Sequence, residues 1–147
     1  MLFVDTSAFY ALADSSDAHH AAAKSFYTTH IETLGPSRVD LVTSDYVFVE
    51  SFSLLKARLG RKASRTFWEW MRTGIVRLLG VEGIDLDEAW RISEAHPDQD
   101  LSLVDVTSFA VIARHGIREA FAFNRHFQWY RFGPDHKQRL TVFPDRP

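Results

Sequence analysis

The sequence predicts an α/β protein built around a mainly parallel sheet, and three observations support this prediction. Short apolar runs alternate along the chain with longer segments that carry helical hydrophobic periodicity. No repeat and no linker-like stretch interrupts the alternation. A length of 147 residues suits one domain, which would bury roughly two-thirds of its unfolded surface, so we expect residues 1–147 to form a single domain.

Five short apolar runs are expected to be the strands of this sheet. Each is bounded by polar, Gly or Pro residues, which is typical of buried strands in a parallel sheet. In chain order they cover residues 2–4, 41–43, 75–81, 120–123 and 140–143.

Helices are expected between these strands, and capping residues mark their ends. One helix is expected to follow Asp5-Thr6-Ser7, and the Ala-rich segment that begins at Asp17 is expected to be helical to Leu34 and closed by Gly35-Pro36. Ser44-Asp45, Asp85 and Ser102 are the expected caps of later helices. The remaining expected helices cover residues 45–59, 62–72, 86–95 and 103–115.

Composition excludes several classes of protein. With 46% apolar and 14% aromatic residues the chain can form a dense core, which argues against disorder. The absence of cysteine excludes disulfides, thiolate metal sites and a cysteine nucleophile. A net charge of −2 excludes nucleic-acid binding by bulk positive charge, so any such contact must be local. No signal peptide and no run of about 20 apolar residues is visible, so a cytoplasmic protein without a membrane span is expected.

Two polar residues follow predicted strands directly. Asp5 comes after the first strand and Asn124 after the fourth. In open parallel sheets, binding sites form at the carboxyl ends of the strands, so both residues are expected at one edge if the strands are neighbours. Asp5 can equally be a helix cap, although Thr6 and Ser7 could also cap that helix.

Two further carboxylates lie on apolar helix stripes. Glu50 shares its stripe with Val47 and Leu54, and Asp105 precedes Phe109 by one helical turn. A buried carboxylate must be paired, protonated or bound to a metal. The alternatives are a mid-helix salt bridge for Glu50 and a capping box with Ser102 for Asp105.

Convergence of these acids would favour a bound cation, because neighbouring carboxylates repel one another. Oxygen ligands without cysteine favour Mg²⁺ or Mn²⁺ over Zn²⁺. None of the seven histidines forms an i, i+4 pair, and only His126 lies near the proposed site. His126 is expected to be a solvated helix residue, with a phosphate contact as the alternative. Carboxylate-bound metals of this kind position water against a phosphodiester, so the residues suggest metal-dependent phosphoryl chemistry.

Four segments resemble, in order, the acidic motifs of PIN-domain ribonucleases, with the closest likeness to the toxin subunits of VapBC toxin–antitoxin pairs. The resemblance extends from Leu2 to about Phe143. It implies a three-layer α/β/α fold with a four- or five-stranded parallel sheet. It also implies a Mg²⁺- or Mn²⁺-dependent endoribonuclease acting on an RNA such as tRNA or rRNA, usually dimeric and neutralised by a cognate antitoxin. The segments are LFVDTSAFYAL, VFVESFSLL, DLSLVDVTSFAVIARHGI and EAFAFNRHF.

The resemblance assigns roles to individual positions. Asp5, Glu50 and Asp105 match the three family acids that hold the metal, while Thr6 and Ser7 match the supporting hydroxyl residues. The fourth position departs from the family pattern. Asn124 stands where the family usually has Asp, so it brings a neutral oxygen and one negative charge fewer, which should weaken a second metal first.

Exposed-looking cations are the candidate RNA contacts. The residues around the Gly60 break could follow phosphates beside the acidic pocket, or they could be a solvated helix end. Trp68 points away from the stripe formed by Phe67, Trp70 and Met71. We expect it to be buried under a loop, and the alternative is a contact with a second subunit or an antitoxin. The candidate cations around Gly60 are Arg58, Arg61, Lys62 and Arg65, and a possible second patch consists of Arg125, Lys137 and Arg139.

Two other functions stay open at this stage. Asn124 is compatible with a PIN-like domain that binds RNA or a partner without cutting. A Mg²⁺-dependent phosphatase or receiver-like domain also places an Asp after its first strand. Against it, no second Asp follows Asp5 two positions later, and the acidic pair and Lys of a receiver are not evident.

Overall fold

The structure is a computed structural model that describes residues 1–35 and 37–145. Five strands form one sheet in the order β3-β2-β1-β4-β5, and every neighbouring pair is parallel. The prediction of a four- or five-stranded, mainly parallel sheet is therefore confirmed. The strands are β1 (Leu2–Val4), β2 (Leu41–Ser44), β3 (Val76–Leu79), β4 (Glu119–Phe121) and β5 (Thr141–Phe143).

Helices connect the strands and cover both faces of the sheet. All three residues of β1 are buried, and because successive side chains of a strand point to opposite faces, both faces must be covered. This arrangement matches the predicted three layers. The helices of the described part are α1 (Thr6–Ala13), α2 (His20–Phe26), α3 (Asp45–Leu59), α4 (Arg61–Arg72), α5 (Gly83–Ala95), α6 (Leu103–Arg114) and α7 (Arg125–Trp129).

The helix boundaries differ from the prediction where capping residues were misassigned. The second helix begins at His20 rather than Asp17, whose carboxylate instead accepts the His19 backbone N–H in a turn. After Phe26 it continues as a π-helical stretch, Tyr27–Glu32. The predicted closure at Gly35-Pro36 falls partly on Pro36, which lies outside the described residues.

The starts of two further helices, α5 and α7, also differ from the prediction. Helix α5 begins earlier than expected because Asp85 is the N3 residue of a capping box whose N-cap is Glu82. Helix α7 was not predicted at all, since it has five residues and its only local signal is Asn124, whose side chain caps it.

Aromatic side chains dominate the core. Phe3 and Phe109 are fully buried and both pack against Phe127 of the unpredicted helix. Phe67 is buried, as expected. Trp68, in contrast, is 51% exposed, so the expected burial under a loop is wrong. It points away from the buried stripe of α4, and no loop covers it.

Across residues 1–35 and 37–145, none of the helices is both long and apolar enough to cross a membrane.

Candidate metal and RNA site

The carboxyl ends of the two central strands bring Asp5 and Asn124 to one edge of the sheet. Strand β1 lies between β2 and β4, with Val4 opposite Phe121 in parallel register. Asp5 follows β1 directly, and Asn124 comes three residues after β4. The expected neighbourhood of these two positions therefore exists in the fold.

Asp5 is both a helix cap and a buried carboxylate. Its Oδ2 accepts the Ser7 backbone N–H at 3.1 Å and the Ser7 hydroxyl at 2.5 Å, which caps α1. Only 4% of Asp5 is exposed. Burial raises the pKa of Asp5 to about 6, against the lowering effect of the two Ser7 hydrogen bonds, and the charges of Asp105 and Glu50 add to the rise.

Ser7 joins the first strand to the fourth. While its hydroxyl donates to Asp5, the same oxygen accepts the backbone N–H groups of Phe123 at 2.9 Å and Asn124 at 3.2 Å. Thr6 has a comparable part, because its hydroxyl oxygen accepts a hydrogen bond from buried Ser51 of α3. Both hydroxyl residues thus hold the elements that carry the acids.

Asp105 is held by three donors. Ser102 and Asp105 form the capping box of α6, with the Ser102 backbone N–H donating to Oδ2 at 3.2 Å. Asn124 Nδ2 donates to Oδ1 at 2.8 Å. His126 Nδ1 lies 3.0 Å from Oδ2 and donates there in its Nδ1-protonated form. The capping-box interpretation and the inward-facing interpretation of Asp105 are therefore both right.

His126 is not the solvated residue that the sequence predicted. Its side chain is 12% exposed, and its Nε2 is buried without a hydrogen-bond partner among the described residues. The reason is the short helix α7, in which Asn124 accepts the His126 backbone N–H and thereby turns the imidazole towards Asp105.

A single cavity of about 360 Å³ collects the predicted site residues. Glu50 enters it from α3, and no donor among the described residues hydrogen-bonds its carboxylate. Arg58 of the same helix also lines the cavity, so the acids have a cationic neighbour. The lining residues are Asp5, Thr6, Ser7, Tyr10, Asp17, His19, Glu50, Leu54, Arg58, Asp105, Phe123 and Asn124.

The other candidate cations are separated by the fold. Arg61 and Arg65 line a groove between α3 and α4, and Lys62 lines a third cavity, largely apolar, beside α1. Arg125 is exposed at the start of α7. Lys137 and Arg139 are exposed too, and neither lines the acidic cavity. The sequence cluster around Gly60 is therefore not one patch.

The donor set suits a hard divalent cation, although it is not a closed ligand cage. The described residues contain no group of three His, Asp or Glu side chains arranged to hold a metal as they stand. Nevertheless, Asp17 and the three predicted acids, Asp5, Glu50 and Asp105, line one cavity, and the raised pKa of Asp5 records the cost of burying negative charge there. A bound cation would remove that cost, so the residues fit such an ion.

Comparison with known proteins identifies the family. The family model described as the PIN domain matches residues 2–133, which is most of the chain. The chain belongs to the PIN-domain family. The PIN domain described here is 33% identical over 127 residues to the 23S rRNA-specific endonuclease VapC20 of Mycobacterium tuberculosis, covering 86% of this chain and 92% of that protein. It is 28% identical over 144 residues to ribonuclease VapC26 of the same species, covering 97% and 100%.

Solved structures agree with this family membership. The crystal structure of M. tuberculosis VapC20, described as a sarcin-ricin loop cleaving toxin, superposes with a TM-score of 0.75 at 32% identity, over 85% of this PIN domain and 91% of that chain. A toxin–antitoxin complex from Klebsiella pneumoniae has a TM-score of 0.58 at 16% identity, covering 85% and 88%, and it supports the fold alone.

Sequence reasoning placed His126 near this PIN-domain site but missed its contact with Asp105, and it missed His19 altogether. For His126 a signal existed, because an Asn cap two positions earlier places it in the first turn of a helix that starts at the acidic edge. For His19 no local signal existed. It lines the cavity because its ring stacks on Phe123 at 4.6 Å, a contact between residues more than 100 positions apart.

Proposed function

We propose that this PIN domain is a metal-dependent endoribonuclease and the toxin of a toxin–antitoxin pair. The observation that carries the proposal is the convergence of Asp5, Glu50 and Asp105 on one cavity from three separate helices or helix starts. The names of its relatives VapC20 and VapC26 support the same activity, and that of VapC20 points to ribosomal RNA as the first substrate to test.

Asp5, Glu50 and Asp105 are the residues that would hold Mg²⁺ or Mn²⁺. Such an ion, when bound, supplies an activated water at neutral pH and offsets the negative charge that develops on the phosphate. The chain's own contribution is to fix two of these carboxylates, those of Asp5 and Asp105, in place. Ser7 orients Asp5, while Asn124 and His126 orient Asp105.

Arg58 is the group that would receive the scissile phosphate. It lies in the cavity that holds the three acids, and its guanidinium stacks over the Tyr10 ring at 5.3 Å, which limits its motion. A fixed cation beside the acids attracts the RNA backbone and stabilises the charged transition state.

Asn124 gives a specific reason to keep a second function in view. Where an Asp would add a fourth negative charge, the amide instead donates a hydrogen bond to Asp105. A domain with this substitution that binds RNA or a partner without cutting is the alternative, and the cleavage assay below separates the two.

The partners follow from the same proposal. A cognate antitoxin would find an apolar groove of about 700 Å³ beside α1 and α4, in which Glu32 and Lys62 are the only charged lining residues among those described.

We further propose a homodimer, a cytoplasmic location and a single domain over residues 1–147. One sheet and a core that extends from Leu2 to Leu140 support the last of these.

The test is cleavage of purified rRNA and tRNA by the antitoxin-free protein in Mg²⁺ or Mn²⁺. Discrete fragments are expected, and they should disappear with EDTA and in Asp5→Asn. Asn keeps the α1 cap, whereas Asp5→Ala would remove it and cost about 1 kcal/mol, which would confuse loss of activity with loss of fold. Asp87→Ala, an exposed acid on α5, is the matched control and should cleave normally.

Three outcomes are informative in this assay. Cleavage by the parental protein but not by Asp5→Asn supports the nuclease. Cleavage only after Asn124→Asp supports a disabled site and the binding alternative. Cleavage that persists in Asp5→Asn, or in EDTA, contradicts the proposed chemistry.

A further inference from the structure

The groove between α3 and α4 combines four cationic side chains with an exposed indole. It is a cavity of about 390 Å³, separate from the acidic one. Its single acidic residue, Glu69, pairs with Arg65 at 3.2 Å, so the groove has a net charge of +3 in a chain whose net charge is −2. The lining residues are Phe52, Lys56, Arg61, Ser64, Arg65, Trp68, Glu69 and Arg72.

Trp68 forms a platform within this groove. Its ring meets Phe52 at 5.6 Å in a near-perpendicular contact, which holds the indole in place while half of its surface stays exposed. Aromatic side chains placed among cations are the usual means by which proteins bind single-stranded nucleic acid. The bases stack on the rings, and the phosphates pair with the cations.

Helix-end electrostatics accounts for Lys56 and Arg72, which lie in last turns, but not for Arg61. Lys56 lies in the last turn of α3, where positive charge is favourable. Arg61, however, is the first residue of α4, a helix with neither an acidic residue in its first turn nor a side-chain cap. Positive charge is unfavourable at a helix N-terminus, so Arg61 lies where helix stability would not place it.

The groove and the acidic cavity lie on adjoining sides of α3. At 3.6 residues per turn, Glu50 and Lys56 are separated by about 120° around the helix axis and about 9 Å along it. Ser53 lies between them and is exposed, as is Val49. An RNA strand leaving the acidic cavity can therefore cross α3 and enter the groove within a few nucleotides.

We propose that the α3–α4 groove binds the single-stranded segment of RNA that flanks the cut site. The backbone phosphates pair with Lys56, Arg61, Arg65 and Arg72, and one base stacks on Trp68. This inference rests on the proposed nuclease function, which it deepens by adding a second contact region on the substrate.

Binding is measured without cleavage, in the full-length Asp5→Asn protein. The probe is a fluorescein-labelled single-stranded RNA of about 15 nucleotides, followed by fluorescence anisotropy over a range of salt concentrations. The charge variant is Arg61→Glu with Arg65→Glu. Its control is Arg38→Glu with Arg118→Glu, two exposed arginines that precede β2 and β4 at the opposite edge of the sheet. Trp68→Ala is compared with Trp90→Ala, the other highly exposed tryptophan.

The expected result is specific to the groove. Arg61→Glu with Arg65→Glu should weaken binding at least tenfold and reduce the slope of log affinity against log salt by about 1–2. Trp68→Ala should weaken binding about 5- to 100-fold with little change in that slope. Both control variants should bind within about twofold of the parent. Circular dichroism of each variant verifies folding.

Two results would overturn the inference. In one, the groove variants bind RNA as the controls do. In the other, light scattering shows that they change the mass of the protein while RNA affinity stays constant, which makes the groove a protein-contact surface. The nuclease proposal fails separately, since a parental protein that binds RNA through the groove but never cuts it contradicts that proposal alone.

Discussion

Asp5 is a single residue of the candidate site whose burial lowers the stability of the folded protein. The carboxylate is buried beside two other acids, and its pKa is raised to about 6. Its position after β1 and its helix cap could be predicted from the sequence, because both signals are local. Its neighbours could not be, because the contacts to Glu50, Asp105 and the β4 end depend on tertiary packing.

Asp5→Asn should stabilise the metal-free protein while it abolishes cleavage. Because the pKa of Asp5 is higher in the folded than in the unfolded protein, the folded state favours the protonated carboxyl group. The stability that Asp5 contributes is therefore lost as pH rises from about 4 through 6. The substitution should therefore raise the free energy of unfolding at pH 7 by about 2–3 kcal/mol. Thermal unfolding in EDTA between about pH 4 and pH 7 measures this, and equal pH slopes for both proteins would contradict it.

Asn124→Asp should lower the stability of the metal-free protein and raise its affinity for the metal. Two carboxylates would then meet where the amide now donates to Asp105 at 2.8 Å, while the cap of α7 is retained because Asp also accepts the His126 N–H. The melting temperature in EDTA should fall, and the increase caused by added Mg²⁺ or Mn²⁺ should grow. Asn124→Ser keeps a capping oxygen without adding charge and serves as control. An unchanged response to metal would count against the proposed site.

At the scale of elements, the strands and the longer helices could be predicted because their signals are local. Hydrophobic runs and caps located all five strands and the helices corresponding to α3 and α6 within a residue or two. Helix α7 was missed because five residues are too few for a periodic pattern. The π-helical continuation of α2 was missed because the Ala-rich sequence carries no signal that separates it from an ordinary helix.

The contact between α5 and α6 depends on one buried carboxylate. Arg114 donates to both oxygens of Asp85 at 2.8 Å, and Asp85 is 2% exposed. Although burial alone would raise it, the pKa of Asp85 is lowered by the hydrogen bonds from Arg114 and the Glu82 N–H. The stability it contributes is therefore complete above the ordinary Asp value and is lost as pH falls below it.

Arg114→Met should destabilise the protein by on the order of 2–3 kcal/mol. The substitution would leave the buried carboxylate of Asp85 without its ion-pair partner. Because Arg114 is partly exposed, the cost stays below that of breaking a fully buried pair. Arg91→Met is the matched control, because the Arg91–Glu88 pair is exposed and should matter by less than about 1 kcal/mol. Urea unfolding at pH 7 measures both, and similar effects of the two substitutions would contradict the argument.

At the scale of the whole molecule, the fold extends beyond the family match. The PIN-domain match ends at residue 133, but β5 pairs with β4 after that point and the Phe143 ring stacks on Phe26 at 5.1 Å. Strand β5 also covers the edge of β4 that would otherwise expose unpaired backbone groups. The order of the strands, and so this edge role, was not predictable from local patterns.

A chain that ends at Gly133 should be less stable and less soluble than one that ends at Asp145. The shorter chain loses the packing of Leu140, Val142 and Phe143 against the core. Burying one such side chain fully contributes about 1.5–3 kcal/mol, so the loss of all three is expected to lower the free energy of unfolding by several kcal/mol. Soluble yield and melting temperature measure the difference. Equal values for the two chains would show that β5 is dispensable.

The Ser7 hydroxyl has a consequence for the synthesis of the protein. Its acceptor bond to Asn124 N–H joins residues 117 positions apart, so the acidic cavity cannot exist until most of the chain has been made. At about 5–20 residues per second, Asp5 waits roughly 6–24 s after it is translated before Asn124 is added. A nascent chain that has not yet reached Asn124 therefore has an incomplete acidic cavity and is inert towards the RNA that surrounds it.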